Sequence, residues 1–180
     1  MKVRPTSAFK SAPLETTIIP QGRRFGRIYL DRYPDPLGVG RTPSRFSDPR
    51  RRVPRNQFGV LYLDSSLKVC FLEALLRDAR DGTVGDLPLD ERELSTRRFA
   101  EIEVFRPLTL VNLGGDAAVR MGVPSDVARA TSQSLARDWS LAFYEHPSEP
   151  DGILYPSRLN GETNLAVYDR AIPKLQVVQV

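Results

Sequence analysis

The chain has 180 residues, 41% of them hydrophobic and 27% charged, enough for one domain with a buried core. It carries a net charge of +4, and only four of its 26 basic residues are lysine. One cysteine (Cys70) and one histidine (His146) exclude an intramolecular disulfide and any zinc site built from several Cys and His of one chain.

Residues 1–15 are rich in Pro, Ser, Thr and Lys and read as a loose arm or an extended cover strand ahead of a domain over residues 16–180. Two short strands are expected at residues 16–19 and 24–30, with Pro20-Gln21-Gly22 as the turn. Alternation in the second puts Phe25, Arg27 and Tyr29 on one face and Ile28 and Leu30 on the other. Residues 31–57 show no period and hold Pro or Gly at seven positions and Arg at seven. A structureless stretch of that length is usually functional or disordered. The arginines fit either a host codon bias or recognition of phosphate and carboxylate by the planar guanidinium fork.

Residues 58–63 read as a buried strand. A helix follows, with Ser65 or Ser66 as its N-cap and Gly82 just past its end. Leu67, Cys70, Phe71, Ala74 and Leu75 form its apolar stripe. Glu73 lies beside that stripe, where a carboxylate is costly to bury as an ion. Arg77, four residues on, offers it a helical ion pair. Residues 83–98 are polar and loop-like with one short helix, 99–106 alternate like a strand with one wet face, and 108–113 form another strand. A long helix is expected from Ser125-Asp126 to about residue 145, covering Val127, Ala130, Leu135, Trp139 and Phe143. Strands at 152–155 and 164–168, joined by a loop over 156–163, precede a final strand at 175–180. Helices scattered among mostly adjacent strands predict a single α+β domain.

Chemistry has few carriers here. His146, in Glu-His-Pro-Ser-Glu-Pro, reads as a helix end and a dipole partner. Ser157 follows an apolar strand without the G-x-S-x-G of a nucleophile elbow, so binding a phosphate or a sugar hydroxyl suits it better than nucleophilic attack. Arg45 reads as a solvated loop charge or a nucleic-acid contact. No apolar run reaches the length of a membrane span and no apolar signal core follows Lys2 and Arg4, so the cytoplasm is the expected home.

The order of the motifs is more specific than any one of them. An Arg in an early strand is followed by Ser44-Arg45-Phe46, Val60-Leu61-Tyr62-Leu63, and Phe71-Leu72-Glu73 with its Glu eleven residues after Tyr62. Gly152-Ile-Leu-Tyr-Pro-Ser157 and an Asn-Leu-Ala-Val-Tyr-Asp strand complete the series. Over residues 24–169 this resembles the RES family, named for its Arg, Glu and Ser, whose members are toxins of toxin–antitoxin pairs. The resemblance implies a fold like the ADP-ribosyltransferases, with mixed, mostly antiparallel sheets and flanking helices. It implies NAD as substrate, cleaved at the nicotinamide–ribose bond by hydrolysis or phosphorolysis, and no metal. It also implies a helix-turn-helix antitoxin that blocks the site, with a homodimer inside the complex as a further expectation. By position Glu73, Arg45 and Ser157 become the catalytic candidates, and Arg27, Arg45, Tyr62 and Ser157 the NAD-binding ones. Two departures stand out: Ser44 replaces a frequent Gly before the second Arg, and Ile28 replaces a frequent aromatic after the first. Two rival readings use the same residues: transfer of ADP-ribose to a macromolecule, and a nucleic-acid-binding module built on residues 41–55. The latter needs stacking aromatics, and Phe46 is the only aromatic there.

Overall fold

The computed structural model describes residues 4–51, 53–76, 84–86 and 88–180. Eight strands form one sheet: β1 (Thr16–Ile19), β2 (Arg24–Leu30), β3 (Val60–Asp64), β4 (Arg97–Val104), β5 (Leu108–Asn112), β6 (Gly152–Pro156), β7 (Thr163–Tyr168) and β8 (Leu175–Gln179). Their spatial order is β1-β5-β6-β7-β3-β2-β4-β8. Every pairing is antiparallel except β5 with β6. The helices are α1 (Leu67–Phe71), α2 (Glu91–Ser95), α3 (Ala117–Arg120), α4 (Asp126–Arg129) and α5 (Ser134–Tyr144), and the architecture is the expected α+β.

Alternation along the strands sorts the core into two layers. Val60, Ala166, Tyr168, Ile153 and Val111 face α4 and α5, where Trp139 and Phe143 complete an apolar layer. Leu61, Leu63, Leu165, Val167 and Leu110 face the other way and share a second layer with Phe25, Tyr29, Ala100 and Ile102 of β2 and β4. Two ladders therefore enclose that second layer, and they join at one place: β2 pairs with β3 only at Gly26 and Asp64. Further along β3, Val60 instead exchanges two backbone hydrogen bonds with Gly40.

Several boundaries moved for identifiable reasons. β3 starts at Val60, two residues later than expected, because the Phe58 and Gly59 N–H groups donate to the Asp48 and Asp169 carboxylates instead of to a strand. The long helix expected from Ser125 is two helices: Ala130 turns extended, and Thr131-Ser132, residue types that disfavour a helix interior, follow it between the two. The segment before β1, read as a loose arm or an extended cover strand, carries a 3-10 turn over Ser7–Ser11 whose Phe9 is buried. Phe9 packs edge-on against Trp139 and Phe143. His146 fixes the same arm through Nε2 at 3.1 Å from the Ala12 carbonyl, with Nδ1 2.8 Å from the Ser148 hydroxyl. The Arg77 half of the expected Glu73 pair and the Gly82 helix end lie outside the described residues.

Candidate active site

A cleft of about 350 Å³ opens where β2 and β3 part, a size suited to a small molecule. Its floor is a row across the sheet, since Tyr155 of β6, Asn164 of β7, Asp64 of β3 and Gly26 of β2 lie in register. Glycine in that row lets α1 come close: a Cβ on Gly26 would sit 2.7 Å from Cys70 Sγ and 2.8 Å from the Phe99 ring. Helix α1 starts from Ser66, whose hydroxyl accepts the Val69 N–H at 3.3 Å. Its continuation, Leu72–Leu76, widens into a π turn, a form frequent at functional sites. Glu73 rides on that turn and lines the cleft.

Two side chains hold one oxygen of the Glu73 carboxylate. Ser157 donates its hydroxyl to Oε1 at 2.7 Å, and the Asn164 amide donates to the same oxygen at 3.0 Å. Ser157 also accepts the Leu159 N–H at 3.2 Å, and it is buried at the end of β6. Its one proton is thus committed to Glu73 in this arrangement.

The two expected arginines reach the same cleft from different elements. Arg27 is half-buried, donates to the Pro36 carbonyl, and lies 5.7 Å from the Tyr29 ring centre. Burial lowers its pKa from the ordinary value, opposed by the charge of Asp35, yet a guanidinium keeps its proton in proteins. Arg45 donates to the Ala130 carbonyl at 2.9 Å, an acceptor made available where the helix breaks. Tyr62 organises the loop that carries Arg45. Its hydroxyl accepts the Phe46 N–H at 2.9 Å and lies 2.9 Å from the Ser44 hydroxyl. Ser44, the departure from the family's frequent Gly, thereby has a structural use. The long Arg-rich segment is tied to the fold by buried Phe46, edge-on to Tyr155, and by Arg50 on Asp48.

All five expected residues, Arg27, Arg45, Tyr62, Glu73 and Ser157, are thus in or directly bonded to one cleft. Four further residues of the site were not singled out from sequence: Asn164, Asp64, Tyr155 and Arg158. The signal for Asn164 was an amide on the inward face of an apolar strand, alternating with Ala166 and Tyr168. Burial, and then the charges of Tyr62, Asp64 and Glu73, push the Tyr155 phenol well above its usual pKa, so it stays protonated. Among the described residues no group of His, Cys, Asp and Glu is arranged to hold a metal ion, and no helix is long and apolar enough to cross a membrane.

Comparison with known proteins identifies the family and the fold. The chain is 45% identical over 102 residues, 57% of its length and 80% of the relative's, to a protein of Sinorhizobium fredii (strain NBRC 101917 / NGR234) named "Probable toxin y4kH". Its fold matches a chain in the crystal structure of the M. tuberculosis MbcT–MbcA toxin–antitoxin complex with a TM-score of 0.65 at 21% identity, covering 90% of this chain and 84% of that one. The family model for the RES domain matches residues 23–180, which include every residue placed in the cleft above, and the chain belongs to the RES domain family.

Proposed function

We propose that the protein is an NAD-degrading enzyme that cleaves the nicotinamide–ribose bond and serves as the toxin of a toxin–antitoxin pair. The observation that carries the reading is a carboxylate fixed by two neutral donors in a cleft that also presents Arg27 and Arg45. Breaking an N-glycosidic bond builds positive charge on the ribose, and a preorganised carboxylate stabilises that charge. Glu73 has this role. Nicotinamide leaves as a neutral group, so no strong general acid is required and a chain with one histidine suffices. Arg27 and Arg45 hold the pyrophosphate through charge-assisted, fork-shaped hydrogen bonds. The Tyr62 ring packs on the nicotinamide end, and Ser157 orients Glu73. Water or phosphate takes up the ADP-ribosyl group.

The printed names of the relatives supply the biological setting. One relative is called a probable toxin, and the structural neighbour was crystallised with its antitoxin. On the present reading an antitoxin with a helix-turn-helix domain covers the cleft. The nucleic-acid reading is disfavoured because Arg41 and Arg50 are paired with the Asp169 and Asp48 carboxylates of the chain itself.

The test is to follow nicotinamide release from NAD with and without phosphate, and to identify the second product. Wild type is expected to release nicotinamide, and Glu73→Gln is expected to lose roughly 100-fold or more in kcat. A folded wild type inert in both buffers overturns the reading. An ADP-ribosylated macromolecule as the main product would assign transfer instead.

A further inference from the structure

Asn164 is 1% exposed in the middle of the sheet, between Asp64 and Tyr155 in the cleft floor. A buried amide of purely structural use has both ends hydrogen-bonded, because an unpaired polar atom away from water is costly. Here only one end is paired. The Nδ2 group donates to Glu73 Oε1, whereas Oδ1 is buried with no hydrogen-bond partner. The amide's orientation follows from chemistry, since an ionised carboxylate only accepts. The buried amide thus directs its donor at Glu73.

The choice of side chain is also informative. Asn164 and Ser157 are neutral donors, so they fix the carboxylate without cancelling its charge, as a lysine or arginine in their place would. Both bond the same oxygen from two strands, β6 and β7, that are themselves paired at Pro156 and Thr163. Two fixed donors on Oε1 set the side-chain torsion and so the direction of Oε2.

We infer that Asn164 is a positioning residue of this site, acting with Ser157 to fix the direction of the Glu73 carboxylate. The inference rests on the reading of Glu73 as the group that meets the ribosyl cation.

Asn164→Asp is the informative variant: it keeps the shape and turns the donor into an acceptor. The expected result is a fall of about 10- to 100-fold in the kcat of nicotinamide release, as for a misplaced catalytic group, with KM for NAD within about twofold. Asn164→Ala, which adds no charge beside Asp64 and Glu73, is expected to show the same split and serves if the Asp variant fails to fold. A kcat within twofold of wild type in either folded variant, or a loss confined to KM, overturns the proposal. A second readout does not depend on turnover. The side-chain amide resonance of Asn164 is expected to move when Glu73→Gln removes the charge it faces, and an unmoved resonance overturns the contact. An inert wild type whose amide resonance does shift would overturn the reaction, and the positioning role with it, while leaving the hydrogen bond standing.

Discussion

Asp48 illustrates how the Arg-rich segment becomes a fixed wall. Its carboxylate is buried and accepts from Arg50 Nε at 2.9 Å and Nη2 at 2.6 Å, and from the N–H groups of Arg50 and Phe58 at 2.9 and 3.1 Å. Burial by itself pushes this carboxyl upward, but the Arg50 guanidinium and the two N–H groups outweigh it and hold the pKa below the ordinary value. A depressed folded-state pKa means that the unfolded chain takes up its proton first as the pH falls. The contribution is therefore complete above the unfolded value of about 4 and disappears as the pH drops through the folded one. Asp48→Asn is expected to cost about 1–3 kcal/mol at pH 7 in denaturant titration, because it removes the carboxylate that accepts Arg50 Nε and Nη2 and leaves Glu145 as the acid paired with that guanidinium. The deficit relative to wild type is expected to shrink at pH 3. Three of these four bonds come from Arg50, two residues on, and only the Phe58 N–H is brought in by the fold.

At the level of elements, α1 is the piece that brings Glu73 to the cleft, and its seat is Gly26. Gly26→Ala is expected to displace α1 or the Phe99 ring, lowering stability by about 1–3 kcal/mol. It is also expected to reduce nicotinamide release more than the destabilisation explains, measured at a temperature where the variant is fully folded. Much of this element was legible beforehand. The Ser66 cap and the helical stripe containing Cys70 are local signals, and β1 and β2 occupy the residues that their alternation marks. The π turn is not a local signal. Neither is the break at Ala130, which ends α4 early and gives Arg45 its carbonyl. A period of 3.6 continues across residues 125–145 in the sequence, and only the hydroxyl-bearing Thr131-Ser132 hints at an interruption.

Across the whole molecule, the five residues picked by motif order come from β2, the long loop, β3, the π turn after α1 and the end of β6, and the fold brings them together. What sequence order could not supply was the floor between them, because Tyr155, Asn164 and Asp64 are neighbours only through register across three strands. Nor did it show that the N-terminal arm belongs to the core. Phe9→Ala is expected to cost about 3 kcal/mol in thermal or denaturant unfolding, and to expose residues 4–15 to proteolysis first, since Phe9 is what packs the arm on Trp139 and Phe143.

The single Gly26–Asp64 pairing between the two ladders has a mechanical consequence. Elsewhere along β2 and β3 the two ladders meet through side chains, which slide against one another, and not through rungs that must snap. A sheet joined at one rung can pivot there and change the gap between its halves with its backbone hydrogen bonds intact. Glu73 bridges that join: the turn that carries it follows α1, which sits on Gly26 of β2, while its donors Ser157 and Asn164 belong to the β6–β7 side. The two hydrogen bonds on its carboxylate therefore act as a second tie across the join and oppose such a pivot.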